Sequence, residues 1–169
     1  MLVGRYGIVS VLGGAIVLAD QASKIWVLSS LGSARPSIEV APFLNVVLVW
    51  NRGISFGVLN QGPDWWPWVL IAVAFLIVAG LLFWLRKLDG RWMVTAIGLI
   101  VGGAIGNVID RFRFGAVVDF IDVHVSGWHF PTFNIADAAI TCGVLILLAD
   151  SLFGRQKSLS CGASEPGNN

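Results

Sequence analysis

The chain has 169 residues, of which 56% are hydrophobic and only 12% charged, against the roughly 25% charged that soluble globular domains carry. A water-soluble fold of this size has no way to hide that much apolar surface, so the composition points to a membrane protein. The formal net charge of +1 supplies neither a basic field for nucleic acid nor an acidic one for cationic partners; no nucleic-acid partner is expected and the functional clues are local.

In chain order, the first apolar segment runs from Tyr6 to Leu28, long enough for the ~20 residues that cross a bilayer as a helix. Arg5 before an apolar core ending near Ala19 would also suit a cleavable signal peptide, but Ile25 to Leu28 carry the apolar run past any plausible cleavage point. Within it, Asp20 and Lys24 stand four apart, the spacing of an ion pair on one helix face. Ile38 to Leu59 alternates and is rich in Val, Ile, Phe and Trp, with Pro36, Pro42, Gly53 and Gly57 as punctuation. It reads as two or three short strands.

The second and third spans are Trp66 to Leu85 and Trp92 to Ile109. In the third, Gly98, Gly102 and Gly106 recur every fourth residue with Gly103 and Ala104 between them, a spacing that lets helix backbones approach closely in lipid. Packing alone accounts for these glycines. Asn107, Asp110 and Arg111 share a face at the end of this span. Phe112 to Thr132 mixes Val117, Val118, Phe120 and Ile121 with Gly115, Gly127 and Pro131, and reads as a strand or loop feeding the fourth span, Ile135 to Phe153. Asn134 and Asp137, three apart, stand at its start. The polar, Gly- and Ser-rich tail 158–169 is expected to be disordered, leaving 1–157 as one membrane-embedded domain.

Four spans put both termini on one side. Arg5, Arg86, Lys87, Arg91, Arg155 and Lys157 lie there in short, otherwise polar segments, whereas Lys24, Arg35, Arg52, Arg111 and Arg113 on the other side are interleaved with motif residues. Short cytoplasmic loops retain Lys and Arg, so the termini are expected inside the cell. Trp65, Trp66 and Trp68 then fall in the outer interfacial belt, Trp84 and Trp92 in the inner one, and the strands form a small sheet on the outer leaflet.

Ionisable groups at membrane depth are costly and tend to be paired, functional or both. Capping and mutual pairing explain Asp20, Lys24, Asp110 and Arg111 as well as function does. Asp119 and Asp137 differ: neither has a basic residue within a helical turn in sequence, and each sits among apolar neighbours. Two such carboxylates, if they meet, cannot both ionise comfortably, and one holds a proton near neutral pH. That arrangement hydrolyses an amide by general acid and base action without a covalent intermediate.

Other chemistries fare worse. His124 and His129 lie five apart with no matching His, Cys or Glu spacing for zinc, so neither metal nor cofactor is expected. No nucleophile elbow accompanies Ser23, Ser55 or Ser126, and Cys142 and Cys161 occupy different settings. A proton-coupled transporter or channel also uses intramembrane aspartates, but four helices without an inverted repeat suit alternating access poorly. A non-enzymatic scaffold would not need its ionisable residues at one depth on one side.

Five blocks carry a specific resemblance: Asp20-Gln21-Ala22-Ser23-Lys24; Asn51-Arg52-Gly53-Ile54-Ser55-Phe56-Gly57; Gly102-Gly103-Ala104-Ile105-Gly106-Asn107 with Asp110-Arg111; Val117-Val118-Asp119-Phe120; and Phe133-Asn134-Ile135-Ala136-Asp137. In this order across four spans the chain resembles the bacterial lipoprotein signal peptidase, or signal peptidase II, family. The resemblance implies an α-helical integral membrane protein of four transmembrane helices with a small extracytoplasmic β-sheet. It implies an aspartyl endopeptidase of the bacterial inner membrane, its site near the periplasmic face, that removes signal peptides from diacylglyceryl-modified prolipoproteins by cutting before the lipidated cysteine. It makes Asp119 and Asp137 the catalytic pair, with Asp20, Lys24, Asn51, Asn107, Arg111 and Asn134 binding substrate or supporting the site and Asp110 structural. A mobile lid helix, membrane lipid and globomycin-type inhibitors belong to the same expectation. Arg52 departs from the small residue expected after Asn51. Leu159-Ser160-Cys161-Gly162 is a chance likeness to a lipidated-cysteine motif, at the wrong end of the chain and with Ser158 where an aliphatic residue belongs.

Overall fold

The computed structural model describes residues 2–31, 37–53, 63–88 and 90–161. Among them are four helices long and apolar enough to cross a membrane: α1 (Leu2–Leu31), α2 (Trp66–Trp84, continued by a 3-10 turn at Leu85–Lys87), α3 (Arg91–Phe114) and α4 (Ile135–Cys161). Strands β1 (Ser37–Ala41), β2 (Leu44–Asn51), β3 (Val117–Val125) and β4 (Trp128–His129) form an antiparallel sheet in the order β1-β2-β3-β4. The expected fold class is the observed one. Residues 54–59 of the expected strand segment lie outside the described residues, and no lid helix occurs among those described.

α3 is the central helix. Its buried residues run from Met93 to Asp110, while the apolar faces of the other three point outward at Val11, Leu18, Phe75, Leu76, Leu145 and Leu148. In water such faces would be a defect; in hydrocarbon they are the solvent-facing surface. Helix association in lipid then relies on close packing, and the glycines provide it. A Cβ on Gly102 would lie 2.8 Å from the Cα of Gly13, one on Gly143 would lie 2.7 Å from the Ala96 carbonyl oxygen, and one on Gly103 would overlap the Ala136 carbonyl oxygen. α1 and α4 therefore touch α3 nearly backbone to backbone.

α3 continues to Phe114, beyond the Ile109 end expected from hydropathy, because Asn107, Asp110 and Arg111 have partners inside the protein and stay helical. It stops at Gly115, which takes the left-handed conformation (φ 68°) and returns its N–H to the Arg111 carbonyl at 2.9 Å. α4 is helical through Cys161, into the tail expected to be disordered; Gln156, Lys157 and Leu159 favour helix, and the first glycine after Gly154 is Gly162. Residues 162–169 lie outside the described residues. At the end of the bundle opposite the sheet, Arg5 bonds the Leu88 carbonyl and the Tyr6 hydroxyl donates to the Leu82 carbonyl at 3.1 Å, tying the start of α1 to the α2–α3 turn. The sheet lies over the other end, packed through Phe120, Ile38, Val46 and Leu48 against Val27 and Leu31 of α1.

Candidate active site

Lys24 is the largest fully buried side chain among the described residues. Its ammonium sits 2.8 Å from Asp20 on its own helix and 2.8 Å from Asp110 on α3, and donates to the Asn107 side-chain oxygen at 3.3 Å. Each carboxylate reaches on to a backbone amide: Asp20 Oδ1 accepts from Ala136 N at 3.0 Å, and Asp110 Oδ2 from Val118 N at 3.1 Å. Those amides immediately precede Asp137 and Asp119. One buried ammonium thus ties together the two segments that carry the unpaired aspartates.

Asp119 enters from β3, opposite Val49 of β2, and is 2% exposed. Its Oδ2 accepts from the Asn51 amide at 2.9 Å and its Oδ1 from the Asn134 amide at 2.7 Å. Asp137 belongs to the first turn of α4, where Asn134 caps the helix: Asn134 Oδ1 accepts from Asp137 N at 2.9 Å, and Asn134 N donates to Asp137 Oδ2 at 3.4 Å. This is a capping box, and the three-residue spacing seen in the sequence is its signature. The other oxygen, Oδ1, accepts from Asn107 Nδ2 at 2.8 Å. Asn107 has its amide orientation fixed, because its oxygen accepts from Lys24 and from Asn134 (3.3 Å each) and so turns the nitrogen toward Asp137.

Asn134 therefore serves both aspartates, and the two acids feel each other's charge. Burial raises the Asp119 pKa from 3.8 to about 7; nearby Asp137 adds to the rise, while bonds from Asn51 and Asn134 and the more distant Lys24 oppose it. Arg111 donates Nη2 to the Gly53 carbonyl at 2.9 Å, and its Nε is buried with no partner among the described residues. A mainly apolar cavity of about 380 Å³ opens beside Asp137 and is walled by Phe130, Thr132, Phe133, Ile140 and Thr141.

The fold brings together all the residues singled out from the sequence: Asp20, Lys24, Asn51, Asn107, Asp110, Arg111, Asp119, Asn134 and Asp137. Two partnerships differ from the sequence reading. Asp110 faces Lys24 across α1 and α3 as well as sharing a helix with Arg111, which turns instead to the loop after β2. Gln21 has no role predicted from the sequence, yet its amide nitrogen bonds Asp110 Oδ1 at 2.9 Å and Asp20 Oδ2 at 3.2 Å. Gly53 closes an Asx turn, its N–H donating to Asn51 Oδ1 at 3.0 Å, for which Asn-x-Gly was the available signal.

The family model described as signal peptidase (SPase) II matches residues 12–153. A lipoprotein signal peptidase of Methylorubrum extorquens (strain PA1) is 45% identical over 150 residues, covering 88% of this chain and 86% of that protein. One from Hydrogenovibrio crunogenus (strain DSM 25203 / XCL-2) is 42% identical over 135 residues, covering 79% and 78%. Among solved structures, a bacterial membrane enzyme determined by the in meso method at 2.3 Å resolution superposes with a TM-score of 0.78 at 31% identity, covering 96% of this chain and 95% of that one. A second, at 1.9 Å resolution, gives 0.75 at 32% identity, covering 87% and 94%.

Proposed function

The chain belongs to the signal peptidase II family, and from that premise we propose that it cleaves lipoprotein signal peptides as an aspartic peptidase whose catalytic pair is Asp119 and Asp137. Peptidase activity on lipoprotein precursors in a multi-pass bacterial membrane protein follows from the family and the four apolar helices; nothing favours a transporter. The aspartic mechanism rests on one observation above the others: Asn134 holds both carboxylates while no cation lies in hydrogen-bond contact with either among the described residues.

In this reading the pair shares one proton near neutral pH, consistent with an Asp119 pKa of about 7. The ionised carboxylate takes a proton from water as its oxygen attacks the scissile carbonyl carbon, and the protonated one donates to the carbonyl oxygen. The resulting gem-diol collapses as the roles exchange, and the leaving nitrogen takes up a proton. The two acids titrate as a unit, so neither role belongs permanently to one residue. Asn51, Asn107 and Asn134 hold the acids in place, Arg111 offers its free Nε–H to substrate, and Asp110 is structural.

The substrate is a diacylglyceryl-modified prolipoprotein cut before the lipidated cysteine. With the termini in the cytoplasm the site lies near the periplasmic face, where a lipid-anchored precursor arrives sideways with its cleavage site already at the right depth. Globomycin-type inhibitors are expected to compete with substrate for the same site. The test is cleavage of matched precursors with and without the diacylglyceryl group by the purified protein and by Asp119→Asn and Asp137→Asn. Each variant is expected to lose roughly a thousandfold or more in turnover, and the unmodified precursor to be cut far more slowly. Near-normal cleavage by either variant removes the pair; equal rates for the two precursors remove the lipid-guided approach.

A further inference from the structure

The β3–β4 hairpin carries polar groups that the reaction above does not use. His124 and His129 stand directly opposite each other across it, their rings stacked with centroids 4.9 Å apart. Asp122 is buried and lies on the sheet face opposite Asp119, since residues three apart on a strand point opposite ways. Its Oδ2 accepts from Asn45 Nδ2 at 3.2 Å, its register partner on β2, and its Oδ1 lies 2.8 Å from His129 Nδ1. Burial works to raise the Asp122 pKa, but the bonds from His129 and Asn45 outweigh it and hold the carboxyl below its usual range. The carboxylate is thus an acceptor at neutral pH, and His129 Nδ1 is the donor.

From His129 the chain runs back along β3. Phe130 N donates to Val123 O at 2.8 Å and Phe133 N to Ile121 O at 3.2 Å, while Phe133 O accepts from Phe120 N at 3.1 Å and Ile121 N at 2.8 Å. Between these points Pro131 has no N–H to give. The residue after Phe133 is Asn134, which donates to Asp119 and caps Asp137. Phe130, Thr132 and Phe133 also wall the cavity beside Asp137. Any lift of this segment from β3 would move the cavity wall and the shared asparagine together.

We propose that Asp122 and His129 are positioning residues for peptide cleavage: their bond fastens the return segment 129–133 to β3 and so fixes Asn134 and the cavity wall against Asp119 and Asp137. The inference rests on the reading of those two aspartates as the catalytic pair. Neither Asp122 nor His129 touches the reacting atoms; they act through Asn134, so their loss is felt in turnover more than in substrate capture.

The experiment compares His129→Leu, His129→Asn, Asp122→Ala and Asp119→Asn on a lipidated precursor, with amide hydrogen exchange on each purified variant. His129→Leu and Asp122→Ala are expected to lower kcat roughly ten- to a hundredfold with KM changed by less than about threefold, the scale of a small misplacement of acid or base. His129→Asn keeps an N–H donor near the Nδ1 position and regains most of the loss. Exchange at residues 130–134 speeds up in His129→Leu while α1 and α3 stay protected. Normal kcat in His129→Leu, no recovery in His129→Asn, or exchange rising equally through the helices each overturns the proposal. Asp119→Asn separates the two readings: if it cleaves normally the catalytic pair is wrong, whereas an inactive Asp119→Asn beside a fully active His129→Leu removes the positioning role alone.

Discussion

Replacing Lys24 by Met probes the centre of the polar cluster. The ammonium is 2% exposed, Asp20 0% and Asp110 1%, and both carboxylates lie 2.8 Å from it. Removing one partner of a buried ion pair strands the remaining charge and costs about 3–5 kcal/mol, and here two carboxylates are stranded. At about 2–4 °C per kcal/mol for a chain of this size, thermal unfolding in detergent should fall by roughly 6–20 °C. Asp20→Asn alone leaves Lys24 its second partner, Asp110, and keeps an oxygen for the Ala136 amide, so it costs less. In the double variant Lys24→Met/Asp20→Asn one stranded charge is gone, and the total loss should be smaller than the sum of the single losses by about 1–3 kcal/mol. The assay is a double-mutant cycle on unfolding midpoints in one detergent at fixed pH and salt. Losses that add to within about 0.5 kcal/mol would refute the pairing and the argument that one ammonium ties both aspartate-bearing segments together.

The raised Asp119 pKa makes stability depend on pH. Between about pH 4 and 7 the native state holds a proton that the unfolded chain releases, so stability attributable to Asp119 declines as pH rises and has been lost once pH passes the folded value of about 7. The unfolding midpoint should drop from pH 5 to pH 8 by more in the wild type than in Asp119→Asn, and an identical slope in both would contradict the raised value. Gly103→Ala places a methyl against the Ala136 carbonyl oxygen and within 2.8 Å of Ile140 Cγ1, which should cost about 1–3 kcal/mol and displace the first turn of α4, lowering cleavage as well. Gly80→Ala on α2 meets nothing within 4 Å and should be neutral or slightly stabilising; equal effects of the two substitutions, read by unfolding and cleavage, would show that helix propensity rather than close approach governs these positions.

The sequence made some of this legible and hid the rest for identifiable reasons. Long apolar runs give the spans, because a bilayer imposes a length on every crossing helix. Asp20–Lys24 and Asn134–Asp137 were visible because both are local, one helical turn apart or within a capping box. The bond from Lys24 to Asp110 was not, since it depends on α1 and α3 meeting at Gly13 and Gly102, which no local spacing encodes. Read from the sequence, His124 and His129 are candidates only for a metal site, because their spacing is judged as that of a loop. The clue to their pairing was the dipeptide Ser126-Gly127 between two short apolar stretches, and both residues take positive φ (50° and 83°) in the tight turn that sets the histidines opposite each other. Spacings of three or four residues report on helices; across a hairpin, residues five apart can be neighbours.

The placement of the buried Lys24 bears directly on the proposed chemistry. An aspartate paired directly with Lys24 would remain ionised through neutral pH and could not act as the acid. The ammonium instead is in contact with Asp20 and Asp110, and each of these grips the backbone one residue before an unpaired aspartate, at Ala136 and Val118. The segments are held by charge while the side chains of Asp119 and Asp137 are held by the neutral amides of Asn51, Asn107 and Asn134. A neutral donor orients a carboxylate while perturbing its proton affinity less than a cation in contact would, so the asparagines that hold Asp119 lower its pKa without cancelling the rise caused by burial and by Asp137. Exchanging these roles, with a cation against Asp119, would keep the site rigid and remove its ability to carry a proton.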